Sequence, residues 1–113
     1  MPFIDSKFTL SLSQDKKDKI KSELGKAISI LNKPESYLMV GIQDNYELYF
    51  GGNKLEKGAF VDVSMLGNAS SELCDKMTGE ICRIFEKELN IPGNGVYITY
   101  QGIKDWGYNG KNF

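Results

Sequence analysis

Hydrophobic and polar positions change period along the chain, and the changes mark out its elements. Phe3 to Leu10 reads as a strand whose larger apolar residues are Phe3, Phe8 and Leu10. Ser13 offers an N-cap, and Gln14 to Leu31 follows as a helix with Ile20, Leu24, Ile28 and Leu31 on one stripe. Asn32-Lys33-Pro34 ends it, because proline disfavours the α conformation in the residue before it. Tyr37 to Ile42 is a β-rich apolar run, and Glu47 to Phe50 is a shorter one closed by Gly51-Gly52.

The pattern then repeats. Ala59 to Leu66 reads as strand, and Ser71 to Leu89 as a helix with Leu73, Met77, Ile81, Phe85 and Leu89 on its apolar stripe. Asn90-Ile91-Pro92 stops that helix, and Gly95 to Ile103 is strand again. Leu31-Asn32-Lys33-Pro34 matches Leu89-Asn90-Ile91-Pro92 at an offset of 58, and Phe3-Ile4-Asp5 matches Phe60-Val61-Asp62 at 57. Each unit is therefore strand, helix, strand, with a crossover connection between parallel strands. Two such β-α-β units predict an α+β fold: a four-stranded mixed sheet with both helices on one face. The other face stays open. Alternation through Phe60 to Met65 and Tyr97 to Tyr100 puts apolar residues on both faces, so the open face predicts association. The Tyr46 to Phe50 stretch and the Trp106 to Phe113 tail are expected to supply edge strands that pair with a neighbour.

Composition narrows the function classes. At 113 residues the chain reads as one domain, residues 1-113, whose modest core would gain from association. A net charge of -1 gives nucleic acid or an anionic membrane nothing to act on. No apolar run approaches a membrane span, and the opening MPFIDSKFTL lacks the charged and apolar regions of a classical signal peptide. The expected location is therefore cytoplasmic, with export, if any, by a route that needs no signal peptide. Cys74 and Cys82 lie eight apart in the second helix, about 12 Å along its axis, which favours reduced thiols over a disulfide. Histidine is absent. That removes His-based triads and Cys-His nucleophiles, and nearly all zinc and non-haem iron sites. Catalysis, if any, rests on carboxylates, Lys, Tyr, Cys or the chain terminus, with no metal and no cofactor expected.

Several segments, in this order and spacing, resemble the macrophage migration inhibitory factor family of the tautomerase superfamily. They are Met1-Pro2 opening a strand, Asn32-Lys33-Pro34 with Tyr37, Phe50-Gly51-Gly52, Leu66-Gly67, Val96-Tyr97-Ile98, and the tail Trp106 to Phe113. The similarity spans the chain, with about one inserted residue before Leu66. It implies a homotrimer whose sheets form a central barrel, with active sites between subunits. It also implies cofactor-free keto–enol tautomerisation of aryl pyruvates such as phenylpyruvate, and of dopachrome derivatives.

The resemblance assigns roles to residues. Removal of Met1, favoured before a small residue, would make Pro2 a terminal secondary amine, and this catalytic residue would move the proton. On its own, Met-Pro is only the start of a strand. An α-amino group titrates at about 7.7–8.0, and an apolar cleft beside a lysine lowers that further. Lys33 would bind the substrate carboxylate or the developing enolate oxygen. Its plainer reading is a cation at a helix C-terminus, worth about 0.3–1 kcal/mol, but its repeat counterpart Ile91 is apolar, so the fold does not demand charge there. Leu66 would offer its backbone to substrate. Tyr37, Tyr97, Trp106, Tyr108 and Phe113 would wall the pocket, Tyr97 from the adjacent subunit; Tyr97 and Trp106 are the strongest of these.

Departures from the family pattern limit the reading. Thr99 stands where Asn is common, which re-aims or weakens a substrate hydrogen bond. Ser64 replaces the His of vertebrate members. Gly58-Ala59-Phe60-Val61 lies where those members carry Cys-x-x-Cys, so thiol oxidoreductase chemistry has no residues here. Phe3 is bulky enough to narrow the pocket mouth. The alternative function is a cytokine-like ligand for a surface receptor, should the protein be secreted. Decarboxylation or dehalogenation leans on extra arginines near the terminal proline, and the chain has one arginine, Arg83 in the second helix.

Overall fold

A computed structural model describes residues Met1–Phe113. Strand β1 spans Pro2–Phe8, with Pro2, Ile4, Ser6 and Phe8 turned inward. It stops two residues short of Leu10, where the Thr9 N–H leaves the ladder for the Gly58 carbonyl. Helix α1 spans Gln14–Ala27, and Ser13 caps it by accepting from the Lys16 N–H. The expected last turn tightens into a 3-10 segment, Ile28–Leu31. The Ser29 hydroxyl donates back to the Lys26 carbonyl, and Asn32, at a left-handed φ of 59°, returns its N–H to Ser29.

Pro34 is extended and opens another 3-10 turn, Glu35–Tyr37, so strand β2 begins at Met39 rather than Tyr37 and spans Met39–Gln43. The Glu47 to Phe50 run becomes a hairpin, β3 (Tyr49–Phe50) with β4 (Asn53–Lys54). Gly51 and Gly52, with φ of 58° and 84°, supply the two positive φ values that a tight type I′ turn requires. Strand β5 is Ala59–Leu66, helix α2 is Ser71–Leu89 capped by Ser70, and strand β6 is Val96–Ile103. The tail folds on itself as β7 (Gly107–Tyr108) and β8 (Lys111–Asn112). Both short hairpins thus pair within the chain.

The sheet order is β2-β1-β5-β6. Strands β1 and β2 run parallel, as do β5 and β6, and the two units meet antiparallel at β1 and β5. Both helices cover one face. Ile20, Leu24 and Ile28 meet Met77, Ile81 and Phe85 over Ile4, Phe8, Val61 and Val63 in one buried core. Phe8 and Phe85 close it edge to face, with ring centres 4.9 Å apart. No helix is long and apolar enough to cross a membrane.

The open face departs from the expectation of an apolar surface. Register places Asp5 opposite Asp62, and Asp62 beside Thr99, in a polar belt across the sheet. Lys7 pairs with Asp5 at 3.1 Å, and the Thr99 hydroxyl donates to Asp62 at 3.2 Å. Apolar groups lie on either side of the belt: Phe3 and Met39 at one end, Phe60 and Tyr97 at the other.

Candidate active site

The first strand begins at the end of β5, and that meeting point builds the site. Pro2 is buried and lies opposite Met65. One residue further, the Leu66 N–H donates to the Met1 carbonyl at 3.0 Å. The chain then turns at Gly67, whose φ of 80° suits glycine and whose N–H reaches the Ile103 carbonyl. Lys33 takes the Leu66 carbonyl: its Nζ donates to that oxygen at 3.0 Å. Lys33 can reach because Asn32 and Pro34 turn the chain off the end of the first helical segment. Three segments distant in sequence therefore converge on one peptide corner.

Electrostatics at the corner favour an uncharged amine. The terminal amine of Met1 is held below its ordinary value, first by burial and second by the positive charge of Lys33. Two groups of the second unit are held in their protonated forms. Burial pushes the Tyr100 phenol up to about 12, and its oxygen lies 2.8 Å from the Thr78 hydroxyl on the helix side of the sheet. Burial, with Glu86 nearby, also raises the Cys82 thiol.

A cleft of about 500 Å³ opens over the terminus, lined by Met1, Pro2, Phe3, Ser36, Tyr37, Leu38, Met39, Trp106, Gly107 and Tyr108. Its outer wall is aromatic. Tyr108 meets Tyr37 edge-on at 6.0 Å and stacks on Phe113 at 5.9 Å, and the Phe113 N–H closes the tail onto the Trp106 carbonyl. Asn109 and Gly110, with φ of 53° and 88°, form the turn that presents this wall.

Of the residues singled out from sequence, Pro2, Phe3, Tyr37, Trp106 and Tyr108 share the cleft, while Lys33 and Leu66 join the terminus by hydrogen bonds. Phe113 touches the wall through Tyr108. Tyr97 and Thr99 lie elsewhere in the same chain. Tyr97 aligns with Phe60 and through it with Lys7, five residues from Pro2, or about 17 Å along the strands. There it packs on Phe50 at 5.2 Å, beside a small apolar cavity that Leu55 and Phe60 also line. Thr99 sits in the polar belt, aimed at Asp62. Sequence reasoning passed over Ser36, Leu38 and Met39, whose place beside Pro2 depends on the turn after Pro34. It also left Phe50 as a motif residue only. Asp62 as the partner of Thr99 follows from the parallel register, which alternation by itself does not set.

Comparison with known proteins bears on the family and the fold. A family model described as macrophage migration inhibitory factor matches residues 1–113. A curated relative, the macrophage migration inhibitory factor homolog of Trichuris trichiura, is 33% identical over 98 residues, covering 85% of each chain. The crystal structure of Leishmania major MIF2 superposes with a TM-score of 0.92 at 30% identity, over 100% of this chain and 97% of that one. A fused 4-OT described as a symmetric trimer shares the fold alone, with a TM-score of 0.86 at 17% identity over 97% and 94% of the two chains.

Proposed function

The chain belongs to the macrophage migration inhibitory factor family, and from that premise we propose that it is a cofactor-free keto–enol tautomerase of aryl pyruvates, with the Pro2 amine as acid and base. Phenylpyruvate is the type substrate, and dopachrome derivatives are a second. The observation that carries the reading is the convergence of Lys33 and Leu66 on a terminus whose first residues, Met1 and Pro2, line an aromatic-walled cleft. In a chain that starts at Pro2, the ring nitrogen is a free secondary amine in the field that lowers the terminal pKa. Uncharged, it takes a proton from the carbon next to the substrate carbonyl. The electron pair moves onto the carbonyl oxygen, and the Lys33 ammonium stabilises the enolate. Solvent delivers a proton to that oxygen to give the enol, and the Pro2 ammonium releases its own to solvent; in reverse the enol gives its hydroxyl proton to solvent and the Pro2 ammonium returns a proton to carbon, giving the ketone. Nothing is oxidised or lost, so the step needs no cofactor.

The same reading makes the protein a homotrimer. Tyr97 and Thr99 lie far from Pro2 within one chain, so a neighbour must bring them to the cleft if they are to touch substrate. The aromatic cluster of Phe50 and Tyr97, with Tyr97 61% exposed, is the surface that a second copy would cover. Light scattering at micromolar concentration is expected to give three chains per particle. A folded, stable monomer that still turns over phenylpyruvate would remove the neighbour from the mechanism.

A further inference from the structure

Phe3 stands at the cleft, but its ring does not close it. Register pairs Phe3 with Met39, and Gly41 lies two residues further along β2, on the same face of the sheet and away from Pro2. The ring tip rests there. A Cβ placed on Gly41 would lie 3.4 Å from Phe3 Cε1 and 3.5 Å from Cζ, with Asp5 Oδ1 at 3.2 Å. Gly41 sits inside a strand and has no positive φ, so its dihedrals do not call for glycine. Glycine weakens a strand and commonly marks a place that another group approaches closely. What it supplies here is room for the ring. A methyl group at 41 would meet the ring at ordinary van der Waals distance, whereas a branched side chain would take the ring's volume. A displaced ring has two neighbours to turn to. Across β1 and β5 it faces Ser64, small and polar. Toward the terminus it meets Met39, 68% exposed, and the cleft that Leu38 and Trp106 also line. The apolar contacts are in the cleft, so that is where the ring goes.

We infer that Phe3 and Gly41 together set the largest aryl group the cleft admits. Gly41 is a positioning residue that holds the Phe3 ring aside, and Phe3 is the wall that the ring of the ligand meets. The width of the cleft is thus fixed by a residue that does not line it. The inference rests on the tautomerase reading for its rates, and a binding arm measured without turnover keeps the two apart.

The test compares phenylpyruvate, which carries one ring, with indolepyruvate, which carries a fused pair, on the chain starting at Pro2. The readout is the ratio of their kcat/KM values. One methylene of misfit in a pocket is worth about 10–200-fold. Gly41→Val, a change that suits a strand, should therefore lower kcat/KM for indolepyruvate at least about tenfold more than for phenylpyruvate, chiefly through KM. Gly41→Ala should leave the ratio near that of the unaltered chain. Adding Phe3→Ala to Gly41→Val should restore the ratio, because no ring is left to displace. Phenylpropionate and indolepropionate, which lack the ketone, should follow the same order in their dissociation constants by calorimetry. Light scattering should give one particle mass for every form. A ratio unmoved by Gly41→Val overturns the inference, as does an equal loss for both substrates, a loss that comes with a changed mass, or a double variant that stays impaired. Propionates that bind in the expected order to forms that turn over neither pyruvate keep the inference and break the catalytic reading. Turnover of both pyruvates with an unchanged ratio does the reverse.

Discussion

The two β-α-β units are built alike and finished differently. Each ends its helical segment on an asparagine in the left-handed region, Asn32 at φ 59° and Asn90 at φ 57°, followed by one residue and an extended proline. The residue between is where they part. Ile91 is fully buried in the core, whereas Lys33 swings out to the Leu66 carbonyl. The strand starts differ in the same sense. Gly58, ahead of Ala59, is tied on both sides to Thr9, while the equivalent end of the first unit is the chain terminus beside Leu66. The second unit shows what the fold needs at these positions, and the first shows what was placed there instead. Both departures point at one corner, which separates the demands of chemistry from those of folding.

Exchanging the paired residues breaks or sharpens that contrast most directly. Ile91→Lys carries the first unit's charge into the second unit's core, where no acceptor awaits it. A buried, unpaired ammonium belongs to the exceptional class of substitutions costing about 4–5 kcal/mol or more, read as a large fall in the urea midpoint. The reciprocal Lys33→Ile removes a half-exposed cation and should change stability by no more than about 1 kcal/mol. Its kcat/KM for phenylpyruvate should nevertheless fall roughly tenfold to a hundredfold, the scale of a hydrogen bond to a charged group. If the two exchanges cost the same stability, the units do not divide the labour as described.

Much of this contrast could be read in the sequence. The boundaries of β5 and α2 stand where alternation and helical stripe put them, because both have strong periodicity and clear ends. Helix α1 ends early because Ser29 competes for a backbone carbonyl, a local bond that no hydrophobic stripe records. The strand after Pro34 starts late because the 3-10 turn consumes Tyr37. At the site, Pro2, Lys33 and Leu66 were legible as a family pattern. The bond from Lys33 to the Leu66 carbonyl was not, since it joins a side chain and a backbone oxygen 33 residues apart that only the folded sheet brings together. The open face was misjudged as apolar because counting apolar residues on each strand hides the belt that register forms from Asp5, Asp62 and Thr99.

A smaller effect lies in the pH profile. The base works only when unprotonated, so kcat/KM rises with pH through its pKa. Burial and Lys33 both lower the Met1 amine, and an amine at Pro2, a buried position of the same corner, meets the same two influences, so that rise should centre below the ordinary value of about 8. Lys33→Ile removes the second cause and keeps the first. The rise should then move to higher pH yet stay below the free-amine value; movement to lower pH would mean that Lys33 does not act on the amine by its charge.

The smallest expected effect concerns the thiols of α2. Cys74 and Cys82 are both free, and Cys82 is pushed away from its reactive thiolate form. Cys74→Ser and Cys82→Ser are expected to leave phenylpyruvate turnover unchanged. No reduction of an insulin disulfide should be detectable in any form. A reductase rate abolished by either change would place chemistry in the second unit, against the contrast drawn here.

The central claim is that the terminus of the first unit is the base. It is tested by phenylpyruvate tautomerisation measured on the chain starting at Pro2 and on the same chain acetylated at Pro2. General-base catalysis contributes about 10²–10⁴-fold, so the acetylated chain should lose activity on that scale while keeping its unfolding midpoint. Equal rates for the two would contradict the account and leave Pro2 as no more than the first residue of a strand.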